Sequence, residues 1–158
     1  MRITARVNGA RASAAIGHAP ERMRKLVGDA IGRGAEEVAR EAKRRAPKAF
    51  STLTNSILPV KIDDLHWQVR TGTNYARSVE EGRAPGRMPG AGLTEWVKFK
   101  TGLQGKELDR RTFIIARAIG RRGIKAQPYM QPALDAKEGR VFELVREAVG
   151  RGVREILP

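Results

Sequence analysis

A long apolar stripe between Pro20 and Pro47 constrains the fold more than any other feature of this sequence. Apolar side chains recur there at spacings of three and four residues, the period of a helix with one buried face. Proline is favoured at the first position of a helix and cannot continue one, so these two prolines set its limits. Gly28, Gly32 and Gly34 each weaken such a helix by about 1 kcal/mol relative to alanine, and close approach to another backbone would explain them. The stripe consists of Met23, Leu26, Val27, Ala30, Ile31, Ala35, Val38, Ala39, Ala42 and Ala46.

Alternation with a period of two indicates strands in two places. Residues 1–7 alternate apolar and polar side chains, which predicts a short strand with an open edge. Residues 57–72 alternate on both sides of an Asp63-Asp64 turn, which predicts an antiparallel hairpin with one buried face. In its second half, the buried face would hold Leu65, Trp67, Val69 and Thr71, and the outward face His66, Gln68 and Arg70.

Two connections and one short helix are predicted around these strands. Residues 8–19 are rich in Gly, Ala and Ser, which is typical of a loosely ordered connection. Asn74 can cap a short helix, and Gly82 can end it. Residues 83–92 contain three Gly and two Pro, which predicts a flexible loop.

The remaining residues predict three further helices. One covers 93–102, and a second covers about 109–123, with Asp109 as its cap and Ile115, Ala118 and Ile119 as its apolar face. Pro128 breaks the helical pattern, and a last long helix restarts at Pro132. We therefore expect one α+β domain over residues 1–158. A long N-terminal helix and a C-terminal helix would pack on a small, mainly antiparallel sheet, with extra short helices in the middle.

The charge of the chain favours an acidic partner without proving one. There are 31 Lys and Arg against 17 Asp and Glu, a formal net charge of +14. Such an excess attracts phosphates or carboxylates and makes copies repel one another unless the charge is screened. The basic residues are dispersed, and their densest groups are Lys43-Arg44-Arg45, Arg110-Arg111 and Arg121-Arg122. A functional basic surface and an ordinary solvated one therefore both remain open.

Few residues are suited to catalysis or metal binding. Without cysteine, the chain has no disulfide, no thiolate zinc site and no cysteine nucleophile. His18 falls in a predicted loop and His66 on the outward face of a predicted strand. Glu80 and Glu81 are neighbours on a predicted helix, so they point roughly 100° apart and do not form a catalytic carboxylate pair. We predict no enzymatic activity and no catalytic, metal or cofactor site. With no signal peptide or membrane span indicated, we expect a soluble protein made in the cytoplasm.

Three stretches, in this order, carry a resemblance to a known family. The first is the Ala46-Pro47 pair followed by "LTNSI" at 53–57; the second is Asn74-Tyr75-Ala76 with Val79-Glu80 and Gly82; the third is "AQPYMQPAL" at 126–134. Together they resemble the tail-completion or head-tail connector family of long-tailed bacteriophages, the family of gene product ten of phage HK-ninety-seven. The chain departs from the family pattern at Ser51-Thr52, where relatives commonly have Thr-Gly.

The resemblance implies a non-enzymatic virion protein at the neck, the junction between head and tail. It implies a ring of six copies that completes the tail tube and joins it to the head connector, after synthesis in the bacterial cytoplasm. Its partners would be further copies of the chain, head connector or adaptor proteins, the tail tube protein, and DNA passing through the lumen, with no membrane and no cofactor. The residues expected to make assembly contacts are Tyr75, Val79, Glu80, Arg83, Arg87, Met88, Tyr129 and Met130.

A basic nucleic-acid-binding protein is the alternative, acting through phosphate contacts. The net charge favours it, but aromatic residues make up only 5% of the chain. Proteins that bind single strands present aromatic side chains on which bases stack. Trp67 and Trp96 both lie in patterns that predict burial, so such a platform is not indicated.

Overall fold

The computed structural model describes residues 4–8, 21–47, 51–86 and 92–156. Most of the predicted connection at 8–19 and part of the predicted loop at 83–92 lie outside the described residues. The elements are β1 Thr4–Asn8, α1 Glu21–Arg45, α2 Ser51–Ser56, β2 Leu58–Asp63, β3 His66–Arg70, α3 Ala76–Glu80, α4 Gly92–Thr101, α5 Gly105–Arg122 and α6 Met130–Ile156. The predicted α+β class is confirmed.

Contacts along the chain divide it into two compact units. The sheet unit comprises Arg2–Thr73 and Pro128–Pro158, and the helical unit comprises Asn74–Gln127. The sheet unit therefore holds the three strands with α1, α2 and α6, and the helical unit holds α3, α4 and α5. That residues 1–158 form one domain stays a prediction.

The sheet has three antiparallel strands in the order β1-β3-β2, so β1 and β2 are its edges. Val60 pairs with Gln68 across the predicted hairpin, and Val7 pairs with Trp67 on the other side of β3. The antiparallel hairpin is confirmed, but the prediction of one buried face is wrong on β2, where no side chain is buried. The outward face predicted for β3 is wrong at Gln68, which is only 8% exposed. The reason is that the Arg70 guanidinium lies beside Gln68 and donates hydrogen bonds of 2.8 and 2.6 Å to its Oε1.

The core of the sheet unit lies where α1 contacts α6 and the sheet. The predicted stripe on α1 is largely buried, with Val27 and Val38 fully so. A Cβ added at Gly28 would collide with the backbone carbonyl of Asp64, and one at Gly34 would lie 2.9 Å from a methyl of Val141. The predicted close approach to another backbone is therefore confirmed at Gly28, whereas Gly32 and Gly34 are approached by the side chains of Trp67 and Val141.

The last turn of α1 holds a buried carboxylate between two arginines. Glu41 is 5% exposed, and its oxygens lie 2.7 Å from Arg44 Nη2 and 2.6 Å from Arg45 Nε. Hydrogen bonds hold the pKa of Glu41 below its usual value, and the bond from Arg44 contributes more than the bond from Arg45. This charged cluster lies in the last turn of α1, just before Pro47, which cannot continue the helix.

The start of α3 differs from the prediction. Tyr75, not Asn74, is the N-cap, with φ −96° and ψ −4°, and no side-chain hydrogen bond caps the helix. The predicted cap at Asn74 is wrong because the chain enters α3 through a turn at residues 74 and 75. The predicted stop is confirmed, since Gly82 follows α3 with φ +74°.

Two other helices begin earlier than predicted. The N-cap of α5 is Gln104, so the cap predicted at Asp109 is wrong. Gly105 opens this helix with φ +57°, a value that glycine adopts without strain. The last helix starts at Met130 rather than Pro132, because the first turn of a helix leaves its N–H groups without helical partners and so tolerates proline. Within the described residues, no helix combines the length and apolar character needed to cross a bilayer.

Candidate assembly surface

The first family-like stretch lies inside the sheet unit. Leu53 on α2 and Ile57 directly after it are fully buried. Ser56 Oγ lies 2.7 Å from Thr71 Oγ1, within hydrogen-bonding distance, and so ties α2 to the end of β3. Thr71 is itself only 1% exposed. The large apolar side chains of this stretch therefore belong to the core of the sheet unit and are not exposed to a partner.

The second and third stretches meet through backbone hydrogen bonds in the helical unit. The Gln127 N–H donates to the Val79 carbonyl at 2.8 Å, and Arg83 and Ile124 exchange two bonds of 2.8 Å each. Gly82 lies between them, where a Cβ would come within 2.8 Å of the Ile124 carbonyl oxygen. These bonds join the chain segment that precedes α4 to the segment that follows α5.

The predicted contact residues fall into three groups. Val79, Tyr129 and Met130 are buried, at 7%, 0% and 2% exposed. A direct contact with a neighbouring copy needs an exposed side chain, so these three side chains serve the interior of their own subunit. The half-buried residues are Tyr75, Glu80 and Arg83, and Arg87 and Met88 lie outside the described residues.

Large apolar side chains that the sequence reasoning did not select are exposed on four elements. They are 43–68% exposed, whereas side chains of this size are usually buried in a folded chain. For Phe113 and Ile114 there was a signal in the sequence: α5 carries more apolar residues than one helix face can bury. The exposed residues are Leu58 and Ile62 on β2, Phe99 on α4, Phe113 and Ile114 on α5, and Phe142 and Val153 on α6.

The α5 surface combines apolar and basic side chains. Helical spacing places five exposed residues within one arc of the helix, on the side away from buried Leu108 and Ala116. Phe113 and Ile114 form its apolar centre. No carboxylate of the described residues lies within 4.0 Å of its arginines. The α5 surface consists of Arg110, Phe113, Ile114, Arg117 and Arg121.

The α6 surface has the opposite charge. Asp135, Glu138 and Phe142 are all exposed and follow one another at helical spacings of three and four residues. Phe142 is 68% exposed, the largest value among these apolar side chains. Glu138 has no ion-pair partner in the described part of the chain, and Asp135 accepts a 2.8 Å hydrogen bond from Gln131. The exposed ring thus lies one helical turn from Glu138 and two turns from Asp135.

The third exposed apolar surface is the outer edge strand of the sheet. Leu58 and Ile62 on β2 are 52% and 43% exposed, and Ile62 lies where the register of the strand shifts between Lys61 and Asp63. An edge strand also presents backbone groups that can pair with another strand. Within the described residues, no group of three or more His, Cys, Asp or Glu could hold a metal ion.

Comparisons of the chain with protein-family models, with curated proteins and with solved structures found no match. The functional proposal therefore depends on the residues and surfaces of this chain.

Proposed function

We propose that this protein is a non-enzymatic structural protein of a long-tailed bacteriophage, and that copies of it form a ring at the head-tail junction. The observation that carries this proposal is the presence of exposed large apolar side chains on separate elements of both units. An exposed apolar patch with a polar rim commonly marks an interaction site, and Phe113 and Ile114 lie among the arginines of α5 in this way. A cyclic ring needs two different surfaces on each copy, one for each neighbour.

The order of the three family-like stretches and the α+β fold also support this proposal. In the ring, one side would contact a head connector or adaptor protein and the other the tail tube protein. DNA would pass through the lumen, and the net charge of +14 suits a polyanion there. The ring would act through contacts alone, completing the tail tube and holding it to the head.

Electron cryo-microscopy of particles induced from the host tests the location directly. The chain would carry a mass label at its C-terminus, and particles with the unlabelled chain would serve as control. We expect label density and a ring of copies at the head-tail junction, together with visible neighbours. Absence of the chain from purified particles would contradict a virion role.

A second function, nucleic-acid binding through phosphates, is favoured by the cations of α5. Arg110, Arg117 and Arg121 have no carboxylate of the described residues within 4.0 Å, so they are available to phosphates. Affinity for duplex DNA would then fall with salt, with a log-log slope of about 0.9 per phosphate contacted. Fluorescence anisotropy with labelled duplex between about 50 and 200 mM salt measures this slope. Tight, salt-dependent binding by a chain absent from particles would favour this second function.

A further inference from the structure

We propose that the α5 surface of one copy docks on the α6 surface of a second copy, head to tail. This inference rests on the proposed ring and names the two surfaces through which its copies would meet. Each surface has an exposed apolar centre, formed by Phe113 and Ile114 on α5 and by Phe142 on α6. Because the two surfaces differ, the docked pair would still present one unused surface of each kind, to which further copies could add.

Charge complementarity selects the second copy as the occupant. The α5 surface continues past its apolar centre into Arg117 and Arg121, whereas the α6 surface continues from Phe142 back to Glu138 and Asp135. All four charged side chains are exposed. Opposite charges that flank an apolar centre fix the partner and the orientation of docking.

The spacing of these charges matches when the two helices run antiparallel. Arg117 and Arg121 come three and seven residues after Ile114, and Glu138 and Asp135 come four and seven residues before Phe142. At a rise of 1.5 Å per residue, both pairs lie roughly 5 and 10 Å from the apolar centre. A parallel arrangement would instead pair only Arg110 with Glu138.

In the antiparallel arrangement one contact is unfavourable, and a substitution that removes it provides a further test of the docking. Arg146 comes four residues after Phe142 and is exposed, so it would face Arg110 across the contact. Like charges facing each other weaken an interface. The Arg146→Glu substitution should therefore tighten association, by roughly fivefold for one exposed ion pair.

Complementary charge reversal provides the decisive experiment. One variant carries Arg117→Glu with Arg121→Glu, and a second carries Asp135→Arg with Glu138→Arg. Each variant alone brings like charges together, whereas a one-to-one mixture restores an opposite pair at every contact. Sedimentation velocity of each chain and of the mixture, at about 0.15 M salt to screen the net charge, measures self-association.

The control variant, Arg111→Glu with Arg122→Glu, makes the same charge change on the same helix. Both residues are exposed and lie roughly 100° around the helix from Arg110. We expect wild type and this control to associate with similar affinity, and each reversed variant to lose at least tenfold. The mixture should recover association. Circular dichroism should be unchanged in all four, since every substituted side chain is exposed.

Three results would overturn the inference: a wild-type chain that stays monomeric, reversed variants that associate like wild type, or a mixture that does not recover. These outcomes are distinct from failure of the proposed function. A chain found as a neck ring in particles, with assembly indifferent to the reversals, would keep the function and reject these surfaces. A chain absent from particles would reject the function whatever its behaviour in solution.

Discussion

The sheet unit and the helical unit differ in the size of the apolar side chains that they bury. In the sheet unit, Leu53, Ile57 and Tyr129 are fully buried. In the helical unit, Phe99 and Phe113 are 65% and 58% exposed, and most of its buried apolar residues are small or medium-sized. Burial of apolar area is the main favourable contribution to folding. The sheet unit therefore has a core of large side chains and the helical unit a core of smaller ones, while both leave large apolar side chains exposed, such as Phe142 and Phe113.

The helical unit also carries an excess of positive charge. Residues 74–127 contain 12 Lys and Arg against 5 Asp and Glu. Arg77 and Glu81 form an ion pair of 2.6 Å within this unit. The sheet unit pairs distant elements, as between Arg22 on α1 and Glu155 on α6 at 2.7 Å. Arg110, Arg117 and Arg121 of the helical unit, which have no carboxylate of the described residues within 4.0 Å, are thus cations that a partner could neutralise.

The largest expected effect is loss of a core side chain in the sheet unit. Leu53→Ala should lower the free energy of unfolding by about 2–5 kcal/mol, because the side chain is fully buried and leaves a cavity. Urea denaturation followed by circular dichroism measures this change. Leu58→Ala is the matched control, since Leu58 is 52% exposed. A Leu53 effect no larger than the Leu58 effect would break the contrast between buried and exposed apolar residues.

A smaller effect is expected where α1 approaches the hairpin. Gly28→Ala should destabilise the chain by about 1–3 kcal/mol, since its new methyl would meet a backbone carbonyl that cannot turn away. Gly139→Ala, in open space within α6, should instead stabilise by about 1 kcal/mol through helix propensity. Thermal unfolding of the two variants gives the comparison. Equal changes of the melting temperature, in the same direction for both variants, would mean that the close approach at Gly28 is absent in solution.

The sequence predicted long periodic elements well and short or exposed ones poorly. The apolar stripe predicted the ends of α1 to within one or two residues, because a long helix repeats the same spacing many times. The six residues of α2 show no such period, and Pro132 concealed the start of α6. Phe113 and Ile114 were missed because an apolar residue on a helix is normally read as core. The structure shows instead that they lie opposite Leu108, on the far face of α5.

The charged cluster of α1 predicts a pH dependence for the sheet unit. The pKa of Glu41 is lower in the folded chain than its ordinary value, so its ion pairs stabilise the fold above that ordinary value. This contribution is lost as the pH falls through the lowered pKa. Glu41→Gln should therefore be less stable than wild type at pH 7, and the difference should shrink in acid.

Urea midpoints of wild type and Glu41→Gln between pH 7 and acid pH measure this dependence. Glu36→Gln is the control, because Glu36 is exposed on the same helix and its change should stay within about 0.5 kcal/mol. A difference for Glu41→Gln that grew in acid would show that the cluster does not stabilise the fold through its carboxylate.

The smallest effect on stability is expected on the α5 surface. Phe113→Ala removes a ring that is 58% exposed, so the free energy of unfolding should change by at most about 0.5 kcal/mol. Leu108→Ala, on the buried face of the same helix at 8% exposed, should cost several times more. Urea denaturation compares the two. A loss above about 1 kcal/mol for Phe113→Ala would mean that the ring is buried by its own chain in solution. Phe113 would then belong to the core of the helical unit, and it would offer no apolar centre to a second copy.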